Sequence, residues 1–368
     1  YTVYLSLALM TGNFMSFPAR YWSASADRTR LVCKICPRFC QLKDGQRGLC
    51  FVRKREGDQL VLDTYGRSSG FCIDPIEKKP LNHFLPGTPV LSFGTAGCNL
   101  ACKFCQNHDI SKSRDQDALM HHASPQRIAD VARQNGCRSV AYTYNDPVIF
   151  LEYAVDIAAA CRAQNIKNVA VTAGYICDAP REEFFGAMDA ANIDLKGFTK
   201  RFYKKLTGSE IQPVLETIAY AVQETSCWVE LTTLFIPGEN DDPKEIEALS
   251  RWVLDTCGSD VPLHFTAFHP DFRMQSTPPT PPETVLRARQ IALACGLRHV
   301  YVGNIKHFEA QSSYCTGCGA RVIGRDWHLL STWQLSDFGN CAICGTQFAG
   351  RFSGLPGDWG RKRLPIRI

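Results

Sequence analysis

No apolar run in this chain of 368 residues approaches the ~20 residues that a helix needs to span a bilayer, so the sequence offers no transmembrane segment. The opening stretch, Tyr1 to Met10, is apolar but lacks the basic n-region of a secretory signal. It reads as a leader ahead of a true start at Met10 or Met15, with a weak signal peptide as the alternative. A strong excess of one charge is also missing. The formal net charge is +5, and no dense basic stripe interleaved with aromatics runs along the chain, so nothing calls for nucleic acid. The basic triplet Arg361-Lys362-Arg363 is short and reads as part of a solvated tail.

Cysteine, by contrast, is abundant. Of 18 cysteines, eleven fall into three compact clusters and seven are scattered. A secreted disulfide scaffold would be far shorter. A long chain with clustered cysteines points instead to metal centres in a reducing compartment, the cytoplasm. The length suffices for one large α/β domain with small appendages, and the apolar fraction of 45% is ordinary for a globular protein.

The central cluster is Cys98, Cys102 and Cys105, in the string GCNLACKFCQN. Its C-x3-C-x2-C spacing puts three thiolates on one short loop. A cubane iron–sulfur cluster takes four ligands, usually all cysteine, so a loop that supplies three leaves one iron open to a small molecule. The opposing reading, a structural zinc knuckle, expects two C-x2-C pairs with a long gap, and this loop has no partner pair of its own. The spacing, with the aromatic Phe104 just before the last cysteine, resembles the signature of the radical S-adenosylmethionine (radical SAM) superfamily. The resemblance implies a [4Fe-4S] cluster whose open iron chelates the methionine amino and carboxylate groups of S-adenosylmethionine. It also implies an electron that breaks the S–C5′ bond and releases a 5′-deoxyadenosyl radical.

Between residues 89 and 310, short β-rich runs alternate with amphipathic stretches. Strands are expected at Pro89–Phe93, Ser139–Tyr144, Asn168–Thr172, Ala191–Leu195, Trp228–Leu234, Leu263–Ala267 and His299–Val302. Helices are expected over 124–134, opened by Ser124 and Pro125, and over about 148–163. This alternation predicts an α/β fold with a parallel sheet and helices outside. Chemistry in such a fold sits at the C-terminal strand ends. The resemblance makes it a partial (β/α)6 radical SAM barrel with four-cysteine metal-binding modules at both termini.

Polar motifs fall at those strand ends. Tyr144-Asn145-Asp146-Pro147 follows the second strand, where the superfamily carries a GGEP-like segment that binds the methionine amino group. Here Tyr144 and Asn145 replace the glycines, and a plain turn is the alternative. Thr172-Ala173-Gly174-Tyr175 follows the third strand and resembles the T-x-G-Y segment of glycyl-radical activating enzymes, with Gly174 allowing close backbone approach to the cofactor. Asp194-Leu195-Lys196 ends the fourth strand and resembles their D-x-K element. Lys196 would pair with the cofactor carboxylate and Asp194 with its ribose, unless the two form only a salt bridge. Gly303 and Asn304 take the place that cradles adenine in these folds. His264 and Thr266 share a face of the sixth strand, whereas His269 beyond it has little claim on substrate.

Two further sets carry four cysteines each. Cys315-x2-Cys318 and Cys341-x2-Cys344 resemble a zinc ribbon, for which rubredoxin-type iron would use the same ligands. Cys33, Cys36, Cys40 and Cys50 have uneven spacing and no second C-x2-C knuckle. A structural zinc is the preferred reading there, and a second iron–sulfur cluster that relays electrons or binds substrate stays open.

The order of segments narrows the resemblance. The N-terminal cysteines, DPIEKKPLNHF from Asp74 to Phe84, the PGTPVLSFGTAGCNLACKFCQNHDIS stretch, AYTYNDPVIF, DLKGF and the C-terminal ribbon together resemble the AmmeMemoRadiSam system radical SAM enzymes. That family is similar to pyruvate formate-lyase activating enzymes. The likeness covers about residues 20 to 350 and implies a peptide or protein substrate, with a small molecule as the alternative. It implies an electron donor such as flavodoxin or ferredoxin, and Memo-like and AMMECR-type partner proteins. Outside enzymology, the same features would suit a non-catalytic iron–sulfur and zinc scaffold or redox sensor. The expected organisation is an unassigned leader over 1–30, an N-terminal module over 31–88, the barrel over 89–310, a ribbon-like module over 311–350 and a basic tail over 351–368.

Overall fold

The computed structural model describes residues 16–113 and 121–368; the leader read at Tyr1 to Met10, and the starts at Met10 and Met15, lie outside the described residues. Seven strands run parallel in chain order: β1 (Pro89–Gly94), β2 (Ser139–Tyr142), β3 (Lys167–Thr172), β4 (Ala190–Asp194), β5 (Trp228–Phe235), β6 (Leu263–Ala267) and β7 (Val300–Gly303). Each pairs with its predecessor, as in Ala141 with Val169 and Thr232 with His264. Helices α1 (Pro125–Gln134), α2 (Leu151–Arg162), α3 (Asp178–Gly186), α4 (Gln212–Gln223), α5 (Pro243–Cys257) and α6 (Pro282–Ala294) make the six crossovers. The strands are buried along nearly their whole length, as parallel strands covered on both faces must be; all four residues of β2 are buried.

Local signals start the helices where expected. The Ser124 hydroxyl accepts from the Arg127 amide (3.1 Å), Pro125 opens α1, and Ile128, Ala129, Val131 and Ala132 form its buried stripe. Asp242 caps α5 in the same way, accepting from the Lys244 amide at 2.9 Å. The expected helix over 148–163 divides: Asp146 caps a 3-10 turn, Pro147–Phe150, and α2 follows.

The sheet is open. Beyond β1 lies an antiparallel strand, Arg67–Pro75, and beyond that Leu364–Pro365 pairs antiparallel with it. The end of the tail therefore docks on the sheet, while Arg361, Lys362 and Arg363 stay exposed, as expected of a solvated stretch. Ile366 donates to the Phe71 carbonyl (3.1 Å), and Trp359, Ile366 and Ile368 pack against the main core. An uncovered strand edge invites pairing with other chains, and the tail occupies that edge.

Residues 16–62 fold into two small antiparallel sheets, one of them formed by Trp22–Ala24, Leu31–Cys33 and Gln41–Leu42. Fully buried Arg53 ties this module to the sheet: it donates to the Ile149 carbonyl (3.0 Å) and pairs with Glu152. The C-terminal module is a three-stranded sheet, Ser313–Tyr314, Arg321–Asp326 and Leu329–Trp333, over its own small core. Buried Arg325 locks it down by donating to Ser313 Oγ (2.7 Å) and to the Asn82 carbonyl (2.6 Å). Among the described residues, no helix is long and apolar enough to cross a membrane.

Candidate active site

The C-terminal ends of the strands surround a cavity of about 440 Å³. Cys98, Cys102 and Cys105 form part of its wall, on the loop that follows β1. Backbone bonds hold that loop: Gly97 donates to Ile110 (3.1 Å), Ala101 to Thr207 (2.9 Å) and Lys103 to Leu206 (2.9 Å). The side chain of Asn99 donates to the Tyr175 carbonyl at 2.9 Å. Cys105 Sγ lies 3.0 Å from Ser111 Oγ. Burial pushes the Cys102 thiol up to about 12, and Lys196 pulls the other way. A metal that binds there displaces this proton.

The segment after β2 divides its labour. Asn145 clamps the cysteine loop, accepting from the Thr95 amide (3.0 Å) and donating to Thr95 Oγ1 (3.0 Å) and the Gly97 carbonyl (2.9 Å). Asp146 joins the ends of β2 and β3: it accepts from the Val148 amide (3.1 Å), Thr172 Oγ1 (2.9 Å) and the Ala173 amide (3.2 Å). Burial raises its pKa, and those donors work against the rise. Tyr144 adopts φ 69°, a left-handed conformation that bulky residues rarely take, and its hydroxyl donates to Asp74 at 3.2 Å. The crowding is local: a Cβ on Gly94 would stand 2.6 Å from the Thr143 carbonyl oxygen. All three residues line the cavity, as Thr172 does.

Asp194 and Lys196 leave β4 into the same cavity and pair with each other at 2.7 Å. Burial disfavours the Lys196 ammonium, but Asp194 and Cys102 outweigh it and hold its pKa above the ordinary lysine range. Its Nζ lies 6.0 Å from the centre of the Phe104 ring, which also faces the cavity. Asn304, at φ 60°, reaches the cavity and donates to the Ala267 carbonyl (2.9 Å). Two expected residues do not line it. Gly174, at φ 66°, backs onto Ile193 and Thr217, and Gly303 faces a second cavity of about 240 Å³. His269 is exposed and lies outside both.

Sequence reasoning assigned no role to three groups in the wall. Lys78 and Lys79 both pair with Asp74, at 2.9 and 2.7 Å. Burial pulls the Lys79 ammonium down to about 8, against the attraction of Asp74. Thr232 Oγ1 is buried and has no hydrogen-bond partner among the described residues. A buried hydroxyl without a partner costs free energy unless a ligand satisfies it. Three free cysteines on one loop, facing a cavity that holds charged side chains and an unused donor, fit a cluster together with a polar cofactor.

The outer cysteine sets differ in geometry. Cys315, Cys318, Cys341 and Cys344 bring all four sulfurs within 4.8 Å of one another, with Cys315–Cys344 at 3.5 Å and Cys318–Cys341 at 3.8 Å. Bonds of 2.3 Å to one tetrahedral zinc would set such sulfurs about 3.8 Å apart. Of the N-terminal set, Cys33, Cys36 and Cys50 are buried and Cys40 is half-buried. Among the described residues, no three of these four gather within 4.8 Å.

Residues 93–250, somewhat under half of the chain, match the family model of the radical SAM superfamily and make up a radical SAM domain. The chain's family includes an uncharacterized protein of Methanocaldococcus jannaschii, 38% identical over 320 residues, which span 87% of this chain and 95% of that one. A GTP 3′,8-cyclase of Clostridium botulinum is 23% identical over 151 residues, 40% of this chain and 47% of that protein. Among solved structures, a radical SAM methyltransferase from Sphaerobacter thermophilus aligns with a TM-score of 0.47 and 14% identity, over 82% of this chain and 80% of that one. A domain of a pyruvate-formate lyase-activating enzyme from Bacteroides vulgatus aligns with a TM-score of 0.41 and 18% identity, over 45% and 99%. Membership of the superfamily supports an enzyme that cleaves S-adenosylmethionine by radical chemistry with an iron–sulfur cluster; it identifies no substrate.

Proposed function

We propose that this protein is an AmmeMemoRadiSam system radical SAM enzyme that acts on a peptide or protein substrate. The observation that carries the reading is the meeting of Cys98, Cys102 and Cys105 with the Asp194–Lys196 pair in one cavity. Cys98, Cys102 and Cys105 would hold a [4Fe-4S] cluster, which would supply the electron for reductive cleavage of S-adenosylmethionine to a 5′-deoxyadenosyl radical able to abstract hydrogen from the substrate. The chain's own residues then have defined tasks. Lys196 offers an ammonium to the cofactor carboxylate, and Asp194 offers an acceptor to a ribose hydroxyl. Asp146 uses three of about four acceptor sites on its own backbone and neighbours, which leaves room for an ammonium donor. Asn304 gives the adenine side a polar rim, and Phe104 packs beside the lysine stem.

The second cavity shares Lys78, Pro80, Thr266 and Asn304 with the first and gives a substrate a route to the reacting centre. A polypeptide is favoured by the T-x-G-Y and D-x-K segments shared with activating enzymes; a small molecule is the alternative. The spacing of the ribbon sulfurs favours structural zinc there. Free thiols throughout suit the cytoplasm, where a flavodoxin or ferredoxin would supply electrons and Memo-like and AMMECR-type proteins would be partners.

The test is anaerobic. Reconstituted protein with dithionite should release 5′-deoxyadenosine from S-adenosylmethionine. The variant C98A/C102A/C105A should release none while its ribbon zinc stays bound. Continued release from the triple variant would show the site assignment to be wrong.

A further inference from the structure

The N-terminal cysteines have no part in the chemistry above, yet they sit against the catalytic loop. The Cys50 backbone packs so closely on Gly97 that a Cβ there would run into the Cys50 carbonyl. Arg38, between Cys36 and Cys40, donates through Nε to the Asn99 carbonyl (2.9 Å) and through its guanidinium to Gly208. Cys177 donates its amide to the Ile35 carbonyl at 3.1 Å, which joins the same loop to the segment after β3. Between the two cysteine sets lies a cavity of about 420 Å³ whose wall includes both Cys50 and Cys98.

Two of the four thiols, those of Cys40 and Cys50, face a common space. The position of a Cβ on Gly48 would lie 3.6 Å from Cys40 Sγ and 3.7 Å from Cys50 Sγ. The four together do not close to the spacing of the ribbon cysteines, where all four sulfurs lie within 4.8 Å. Four thiolates on one zinc must crowd together, whereas four thiolates on the corners of a cubane stand apart. The same structure thus holds one four-cysteine set at single-ion spacing and another at wider spacing. The second also reaches the surface: Phe39 and Leu49, next to Cys40 and Cys50 in sequence, are 51% and 55% exposed.

We propose that Cys33, Cys36, Cys40 and Cys50 hold a second [4Fe-4S] cluster and that this centre is the electron entry to the catalytic one. The proposal rests on the reading that Cys98, Cys102 and Cys105 hold the catalytic cluster. A one-electron donor protein of the flavin or iron–sulfur class reduces the N-terminal cluster by one electron. That electron passes on to the barrel cluster, so the first centre returns to its oxidised state and the second is reduced by one. No bond forms or breaks in the transfer, and no proton moves.

Elemental analysis of the full chain, reconstituted anaerobically with iron and sulfide, tests the site. Two cubanes predict about eight irons per chain with one zinc. C98A/C102A/C105A should keep about four irons and the zinc, with a reduced-cluster EPR signal that S-adenosylmethionine does not alter. About four irons and two zincs in the wild type, with no iron in the triple variant, would overturn the second cluster and leave the catalytic assignment intact. Full iron in the triple variant would instead overturn the catalytic assignment. Freeze-quench EPR of the wild type mixed with reduced flavodoxin tests the relay. The signal insensitive to S-adenosylmethionine should rise first and decay as the sensitive one grows. A sensitive signal that rises first would overturn the relay.

Discussion

Glu230 and Thr232 stand two residues apart on one face of β5, in opposite surroundings. Glu230 is buried toward the floor of the sheet. Its carboxylate accepts from the amides of Asn82 (2.9 Å) and His83 (2.7 Å), from Trp228 Nε1 (3.0 Å) and from His264 Nε2 (2.7 Å). Every lone-pair site is used. Beside it, burial holds the His83 pKa well below its ordinary value, and the neutral ring donates through Nδ1 to the Ala349 carbonyl at 2.6 Å. One strand step higher, the Thr232 hydroxyl has no hydrogen-bond partner among the described residues, and around it lie paired charges and free thiols. The floor is built for stability, and the mouth leaves donors unused for something that binds. This is the division expected of parallel β/α sheets, with chemistry at the C-terminal ends.

The comparison can be broken by substitution. The largest effect is expected at the floor. Glu230→Ala leaves two buried amides and two ring donors unpaired, so unfolding by denaturant should show a loss of about 3–5 kcal/mol. The affinity of the remaining folded protein for S-adenosylmethionine should be unchanged; a weaker affinity would place Glu230 in the site.

At the mouth the order reverses. Lys196→Ala should weaken S-adenosylmethionine binding ~100-fold by calorimetry, the cost of about 2.7 kcal/mol for losing a charged contact, and Asp194→Asn should weaken it less. Unchanged affinity in both would reduce the pair to a salt bridge.

Glu77 lies between the two regions. It accepts from the Gly87 amide at 2.7 Å through one oxygen, and the other oxygen has no hydrogen-bond partner among the described residues. Burial pushes its pKa up from the ordinary 4.5 to about 7. The folded state therefore keeps a proton that the unfolded chain releases near pH 4.5. Stability from this group is full below that pH, declines as pH rises toward about 7 and then levels off. Glu77→Gln should flatten that decline in thermal melts across pH 4.5–7, and an identical slope would remove Glu77 as its source. The smallest change belongs to Thr232→Val. Stability should hold because no protein hydrogen bond is lost, while cofactor affinity should fall by only about 1 kcal/mol.

Much of this was legible in the chain. Apolar runs and caps set the strands within a residue or two, and β6 and α1 matched their expected bounds because Ser124, Pro125 and the Pro-rich flanks punctuate them. The cysteine spacings grouped the three metal-type sets by themselves. What lay hidden depends on distance in sequence. Asn145 and Asp146 read as cofactor ligands, yet most of their bonds hold the chain to itself, across 50 residues in the case of Thr95. Arg67–Pro75 lacks a plain apolar alternation because both of its faces are buried, and the tail that covers its edge carries three basic residues in a row. Thr232 could not be singled out, since an unpartnered hydroxyl looks like any other threonine in a strand.

The pairing of Leu364–Pro365 with Ile73 and Cys72 joins residues roughly 290 positions apart, the most distant strand pairing among the described residues. Contacts of that span form late, after local helices and neighbouring strands have closed shorter loops. Until then the Arg67–Pro75 edge stands bare, while the loop after β1 carries free thiols. The nascent chain is thus most prone to sticking and to oxidation in the same interval, and cluster loading has to compete with both before the final strand arrives.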